Sequence, residues 1–212
     1  MNRRLLLFVS TVVLAAVTYI LGWSSLFTVS SIEITGSSTQ ISSGIVVGQK
    51  LARVEPRAVA ARFEKLDWVA NAQVSRNWIN GTVTINLKAR TPVAIYKNTV
   101  IDSTGKSFVL PGSPTTNLVQ IQAGDLAAAI RAVSFFTALP SDLKSTLTVV
   151  KVRGTGALVL VVNNAGKNLE IRWGNDGDNE LKTKVFKALI ALPENAAIKR
   201  VDVSAPHAPI VK

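Results

Sequence analysis

The chain opens on an uncharged apolar run, Leu5–Gly22 (LLLFVSTVVLAAVTYILG), and nothing as apolar recurs. Eighteen helical residues at ~1.5 Å each span about 27 Å, close to the ~30 Å hydrocarbon layer of a bilayer. Arg3 and Arg4 stand before it, Trp23 follows it as an interfacial aromatic, and no Lys or Arg appears again before Lys50. This asymmetry predicts a single transmembrane helix over residues 5–23, with Leu5, Val13, Ile20, Gly22 and Trp23 in the anchor. Residues 1–4 form a short cytoplasmic tail, and the rest of the chain lies outside the membrane. The run is longer than the ~7–15-residue apolar core of a cleaved signal peptide, and no small-x-small cleavage site follows it.

Charge and composition narrow what the external part does. The chain carries +11, and setting aside Arg3 and Arg4 leaves +9 outside. Such a balance suits anionic surroundings: phospholipid head groups, wall polymers or an acidic protein. The basic residues are scattered rather than clustered, and no nucleic acid is expected at this location. There is no cysteine, so the fold depends on its apolar core, and thiol chemistry and Cys-ligated metals are excluded. The one histidine, His207, sits close to the end of the sequence, where a catalytic base lacks the rigid shell it needs. No catalytic residue, cofactor or metal ligand is expected.

The order of elements gives an α+β chain. Phe27–Gly36 reads as a strand whose apolar pairs, Phe27/Val29 and Ile32/Ile34, fall out of phase across Ser30–Ser31, which suggests a bulge. Ser37–Gln40 reads as a turn and Ile41–Val47 as a short helix. A second helix starts near Glu55 with Pro56 at its first position and Val59, Phe63 and Leu66 on one face. A hairpin follows: Ala72, Val74 and Arg76 lead to Trp78, Asn80-Gly81 turns the chain, and Val83, Ile85 and Leu87 alternate back. Two helices on a three-stranded sheet account for this first module. Beyond Pro92 come strands at Val93–Tyr96, Thr99–Asp102, Ser107–Leu110, Thr148–Val152, Ala157–Val162 and Leu169–Trp173, with a final strand at Ile198–Ser204. Pro206 and Pro209 are expected to stop its pairing. Two helices complete this module: Asp125–Leu139, with Leu126, Ile130 and Val133 inward, and Glu180–Leu192, with Leu181, Val185, Leu189 and Leu192 inward.

The hairpin region carries a resemblance. Leu66-Asp67-Trp68-Val69 and Ala72-x-Val74-x-Arg76-x-Trp78 precede Thr82-Val83-x-Ile85-x-Leu87 and Ala89-Arg90-Thr91-Pro92-Val93-Ala94. With Phe27-x-Val29-x-x-Ile32-x-Ile34-x-Gly36 before them, and Ile101-Asp102-x-x-Gly105-x-x-Phe108 and Val201-Asp202-Val203-Ser204-x-Pro206 after them, these resemble the FtsQ/DivIB family of bacterial cell-division proteins. The resemblance implies a POTRA module over 24–91, an FtsQ-type β domain over 92–205 and a C-terminal tail over 206–212. It implies a non-enzymatic scaffold at the division septum that binds FtsB/DivIC-like and FtsL-like partners along its last strand. Other division proteins would meet its POTRA module. The candidate binding edge is then Lys199, Arg200, Val201, Asp202, Val203 and Ser204, offering unpaired backbone groups to an added strand. Some relatives place a basic residue and an aromatic where this chain has Ser204 and Ala205. On this reading a proline at Val203 abolishes partner binding and leaves both modules folded.

Several features read more plainly. Asn175-Asp176-Gly177-Asp178-Asn179-Glu180 lacks the spacing of a calcium loop and reads as a turn in which Asp178 or Asn179 caps the next helix. Trp68, Trp78 and Trp173, within alternating strands, are packing residues. Lys182, Lys184 and Lys187 read as the wet face of their helix, and His207 as part of a solvated tail. The alternative function is a membrane-anchored basic module that binds anionic wall polymer or the membrane surface. An anchored hydrolase would need convergent carboxylates, and none stands at recognisable spacing.

Overall fold

In the computed structural model, which describes residues 3–23, 27–37, 39–112, 117–164 and 166–212, the apolar run is one helix, α1 (Arg3–Trp23). It is long and apolar enough to cross a membrane. Its side chains from Arg3 to Ile20 are exposed, as in a helix whose solvent is lipid; those of Gly22 and Trp23 lie outside the described ones. The turn residues Ser38 and Ala165 also lie outside the described residues. The chain divides into two units, Met1–Arg90 and Thr91–Lys212.

In the first unit, β1 (Ser31–Thr35), β2 (Val69–Arg76) and β3 (Thr82–Ala89) form a sheet in the order β1-β3-β2. β3 pairs parallel with β1 and antiparallel with β2. The phase break at Ser30–Ser31 marks a change of partner rather than a bulge. Phe27–Val29 pairs with Gly48–Leu51, through Val29 N–H to Gln49 O (2.8 Å) and Leu51 N–H to Phe27 O (3.1 Å), and only then does the chain enter the sheet. Val29, Leu51, Val54, Phe63, Val69, Val83 and Ile85 are buried together as the core.

The helix expected at Ile41–Val47 does not form. The Ser43 hydroxyl accepts the Ile45 N–H, a local bond that competes with a helical turn, and the chain instead closes a turn at Val46–Gln49. A single 3-10 turn, Leu51–Arg53, stands in the place of a first helix. Arg76 fixes it, donating to the carbonyls of Leu51 (3.0 Å) and Val54 (2.8 Å) while its guanidinium lies over Trp78. The second helix, α2 (Pro56–Glu64), begins at Pro56 with Glu55 making no side-chain cap.

The hairpin loop is also longer than the expected two residues. It runs from Asn77 to Gly81, closed by Gly81 N–H to Asn77 O (3.0 Å), while Asn77 Oδ1 accepts from Ile79 N–H (3.0 Å). Gly81 alone in it has positive φ (+75°), and a Cβ there would come 2.4 Å from Ser30 Oγ and 2.5 Å from Thr28 O.

The second unit is built on a nine-stranded sheet. Its strands are β4 (Pro92–Tyr96), β5 (Thr99–Asp102), β6 (Ser107–Phe108), β7 (Val119–Gln122), β8 (Leu147–Val152), β9 (Leu158–Asn164), β10 (Lys167–Gly174), β11 (Arg200–Asp202) and β12 (Ile210–Val211). They lie in the order β12-β11-β10-β9-β8-β7-β4-β5-β6. Helices α3 (Leu126–Ala138) and α4 (Ser141–Thr146) connect β7 to its parallel neighbour β8, and α5 (Asn179–Ala191) connects β10 to its parallel neighbour β11. β7, α4 and β12 have no counterpart in the sequence reading.

Both long helices keep part of the expected face, with Val133 buried and Ile130, Val185 and Leu189 packed against the core, but each buries smaller or polar residues beside it. On α3 the buried residues are Ala128, Ala129, Ala132, Val133 and Phe135, while Leu126 is exposed. Three alanines let the backbone approach the sheet closely, so the small residues go inward. On α5, Lys182, Thr183 and Phe186 are buried while Leu181 and Leu192 are exposed. Lys187 is no free cation. It pairs with Asp142 of α4 and, by that hydrogen bond, holds the Asp142 carboxyl below the usual carboxylate range.

Candidate partner-binding edge

β10 organises this part of the sheet. Leu169, Ile171 and Trp173 alternate inward and are buried, while Asn168 and Arg172 face out. Trp173 meets Phe135 of α3 edge to face at 5.8 Å and donates its indole N–H to Asn179 Oδ1 (2.8 Å). Asn179 in turn donates to Asp176 (2.7 Å), so the Asn175–Glu180 segment is a turn tied to the core. Asp178 occupies the N-cap of α5 in the left-handed region without a side-chain cap bond. Among the described residues no cluster of His, Cys, Asp or Glu could hold a metal ion.

Lys182 is the buried cation that the pattern of lysines did not reveal. Its ammonium donates to Asn175 O (2.8 Å) and lies 5.9 Å from the Trp173 ring centre. Burial pushes the Lys182 amine down from its ordinary value, against the opposing pull of the Asp178 and Asp176 charges.

β11 lies parallel to β10, with Ile171 opposite Val201 and Arg172 opposite Asp202. Val201 and Val203 are wholly buried, and the Val203 N–H donates to Arg172 O (2.9 Å). The outward residues carry charge: Arg200 Nε donates to Glu170 Oε1 (2.9 Å), and Arg172 stands 3.9 Å from Asp202. Asp202 Oδ1 also accepts from the Ser204 N–H (3.0 Å) and hydroxyl (2.6 Å), closing the strand. Lys199 and Ser204, like Arg200, are exposed.

The candidate edge is covered, contrary to the expectation of free backbone groups at Lys199–Ser204. A turn at Ala205–Ala208 sends the chain back, and β12 pairs antiparallel with β11, Val211 opposite Val201 and Ile210 opposite Asp202. The Lys199 and Arg200 N–H groups donate to Lys212 O (2.9 and 3.0 Å), and Lys212 N–H returns to Arg200 O (2.9 Å). Pro206 and Pro209 therefore do not stop pairing. Pro206 lies within the turn and Pro209 just after it, and Ile210 and Val211 are left to bond. His207 is exposed in that turn.

Gly174, at the end of β10, sits against Ser204: its φ is +75°, and an added Cβ would lie 2.8 Å from Ser204 Cβ. Gly174→Ala is expected to destabilise the second unit by about 1–3 kcal/mol through left-handed strain and the clash, read by denaturant unfolding of the extramembrane part.

Comparison with known proteins identifies this architecture. Residues 27–90 match the POTRA domain, FtsQ-type, and residues 89–204 match the C-terminal region of cell division protein FtsQ/DivIB. The chain belongs to the FtsQ/DivIB family. It is also similar to the cell division protein FtsQ of Corynebacterium glutamicum, with 27% identity over 209 residues, covering 90% of this chain and 92% of that one. FtsQ/DivIB proteins are non-enzymatic, membrane-anchored scaffolds of cell division that interact with other division proteins, and α1 is long and apolar enough to serve as such an anchor. The POTRA match covers the β1-β3-β2 unit, and the second match ends at Ser204, before β12.

Proposed function

We propose that this FtsQ/DivIB protein holds FtsB/DivIC-like and FtsL-like division proteins at the β11 end of its second unit. It works at the division septum, with residues 1–4 in the cytoplasm and both units outside, and its POTRA unit is open to further division proteins. The observation that carries this reading is the weakness of what covers β11. β12 is 2 residues long, and Ile210 is more than half exposed. Each of its backbone bonds contributes only ~1 kcal/mol net, so a longer strand from a partner displaces it at small cost. The outward charges Arg200, Glu170, Arg172 and Asp202 then meet the partner's alternate side chains and set its register.

Removal of residues 207–212 tests this. With β12 gone, the affinity for an FtsB/DivIC–FtsL complex is expected to rise about 5- to 30-fold, the equivalent of the ~1–2 kcal/mol otherwise spent on displacement. Titration of the complex against the extramembrane part reads the change. A fall in affinity would assign the binding edge to β12 itself. Unchanged affinity would place binding away from this end of the sheet.

A further inference from the structure

We propose that Val46, Val47 and Ile79, at one end of the first unit, rest in the lipid interface beside α1. Ile79, at the tip of the β2–β3 loop, is 99% exposed, and Val46 and Val47, on the Val46–Gln49 turn, are 66% and 61% exposed. Both tips grip the same segment of chain. Gly81 O accepts the Ser30 N–H (2.8 Å) on one side, and Gly48 N–H donates to Val29 O (2.7 Å) on the other. Phe27 completes the group, edge to face with Trp78 at 6.0 Å. The parallel register of Ser31 with Thr82 sets the start of β1 and the hairpin tip at the same end of the sheet.

Chain connectivity brings this end to the bilayer, an inference that rests on α1 being the membrane span. Phe27 follows Trp23 by four residues, at most ~14 Å even when fully extended. The charges agree. Residues 27–30, 46–53 and 77–82 contain no Asp or Glu, whereas Lys50, Arg53 and Arg76 lie within or beside them. Aliphatic tips flanked by tryptophan and basic side chains, without acids, suit the headgroup level of an anionic leaflet. The three side chains stand on two separate tips. Insertion among lipids needs no matching surface, whereas a protein partner would.

The full chain is reconstituted in phosphatidylethanolamine/phosphatidylglycerol vesicles, and its lack of cysteine allows single Cys labels with an environment-sensitive fluorophore at Ile79, Val47 and, as a control, Lys88. Lys88 is exposed on β3, six residues beyond Thr82 and so about 20 Å from the tip. A lipid-borne quencher is expected to lower emission about twofold or more at 79 and 47 and little at 88, with aqueous iodide giving the reverse. Ile79→Asp is expected to move the label at 47 toward iodide, while Ile79→Leu leaves it in place. Equal iodide quenching at 79 and 88 overturns the proposal. So does protection of 79 from both quenchers, which marks contact between copies of the protein, and so does a label at 47 indifferent to Ile79→Asp.

Discussion

Val203→Pro is expected to destabilise the second unit by about 3 kcal/mol or more, through a lost ladder donor and disrupted core packing. Val203 is wholly buried, and its N–H donates to Arg172 O at 2.9 Å between β11 and β10. Proline removes that donor, strands the carbonyl and replaces an isopropyl group the core is packed around. A domain stabilised by ~5–15 kcal/mol loses a large part of its margin. Guanidinium unfolding of the extramembrane part should show the midpoint of this unit falling. The expectation that such a variant keeps both modules folded and loses only its partners is therefore replaced. Loss of binding in Val203→Pro would report folding. Perturbation of Ile210 and Val211 reports the edge, because neither is wholly buried.

Trp173→Ala should cost about 3–5 kcal/mol, the range for emptying a fully buried aromatic site. Trp173 has no solvent exposure, packs on Phe135 and donates to Asn179, so truncation opens a void where β10 and α3 meet. It also removes the indole donor from Asn179 and the ring from beside the Lys182 ammonium. Trp173→Phe keeps most of the volume and loses the indole bond; about half the cost is expected. Denaturant unfolding separates the two, with a reduced midpoint and an unchanged denaturant slope if only stability is altered. A loss under 1 kcal/mol in Trp173→Ala would show that β10 is not the organiser of this core.

Legibility in the sequence followed how local the determining forces are. α1 and the alternation of Leu169, Ile171 and Trp173 depend on runs of neighbouring residues, and were read directly. The turn chemistry around Asn80-Gly81 was recognisable, but Asn77 two residues upstream of Ile79 converts the turn into a five-residue loop through its own side chain. Ser43 acts similarly at the missing helix. The inward faces of α3 and α5 are legible only in part: Val133, Ile130, Val185 and Leu189 turn inward as their spacing implies, but counting large aliphatics overlooks alanines that permit close approach and a lysine whose amine finds a carbonyl. β12 was hidden for another reason. Two prolines near Ile210 and Val211 suggested an end to pairing, and only the long-range partner, β11, makes those residues a strand. The segment singled out for binding, Lys199–Ser204, was found through family resemblance. That another strand covers it is a tertiary fact no local pattern contains.

The strand order has one more consequence. β11 and β12 come after the other strands of the sheet in sequence and occupy one extreme of it. A chain released from the ribosome before residue 200 would keep the anchor and the residues of the POTRA unit and lack the proposed docking edge altogether. Such a fragment would take up a place in the membrane without offering that edge to a partner strand.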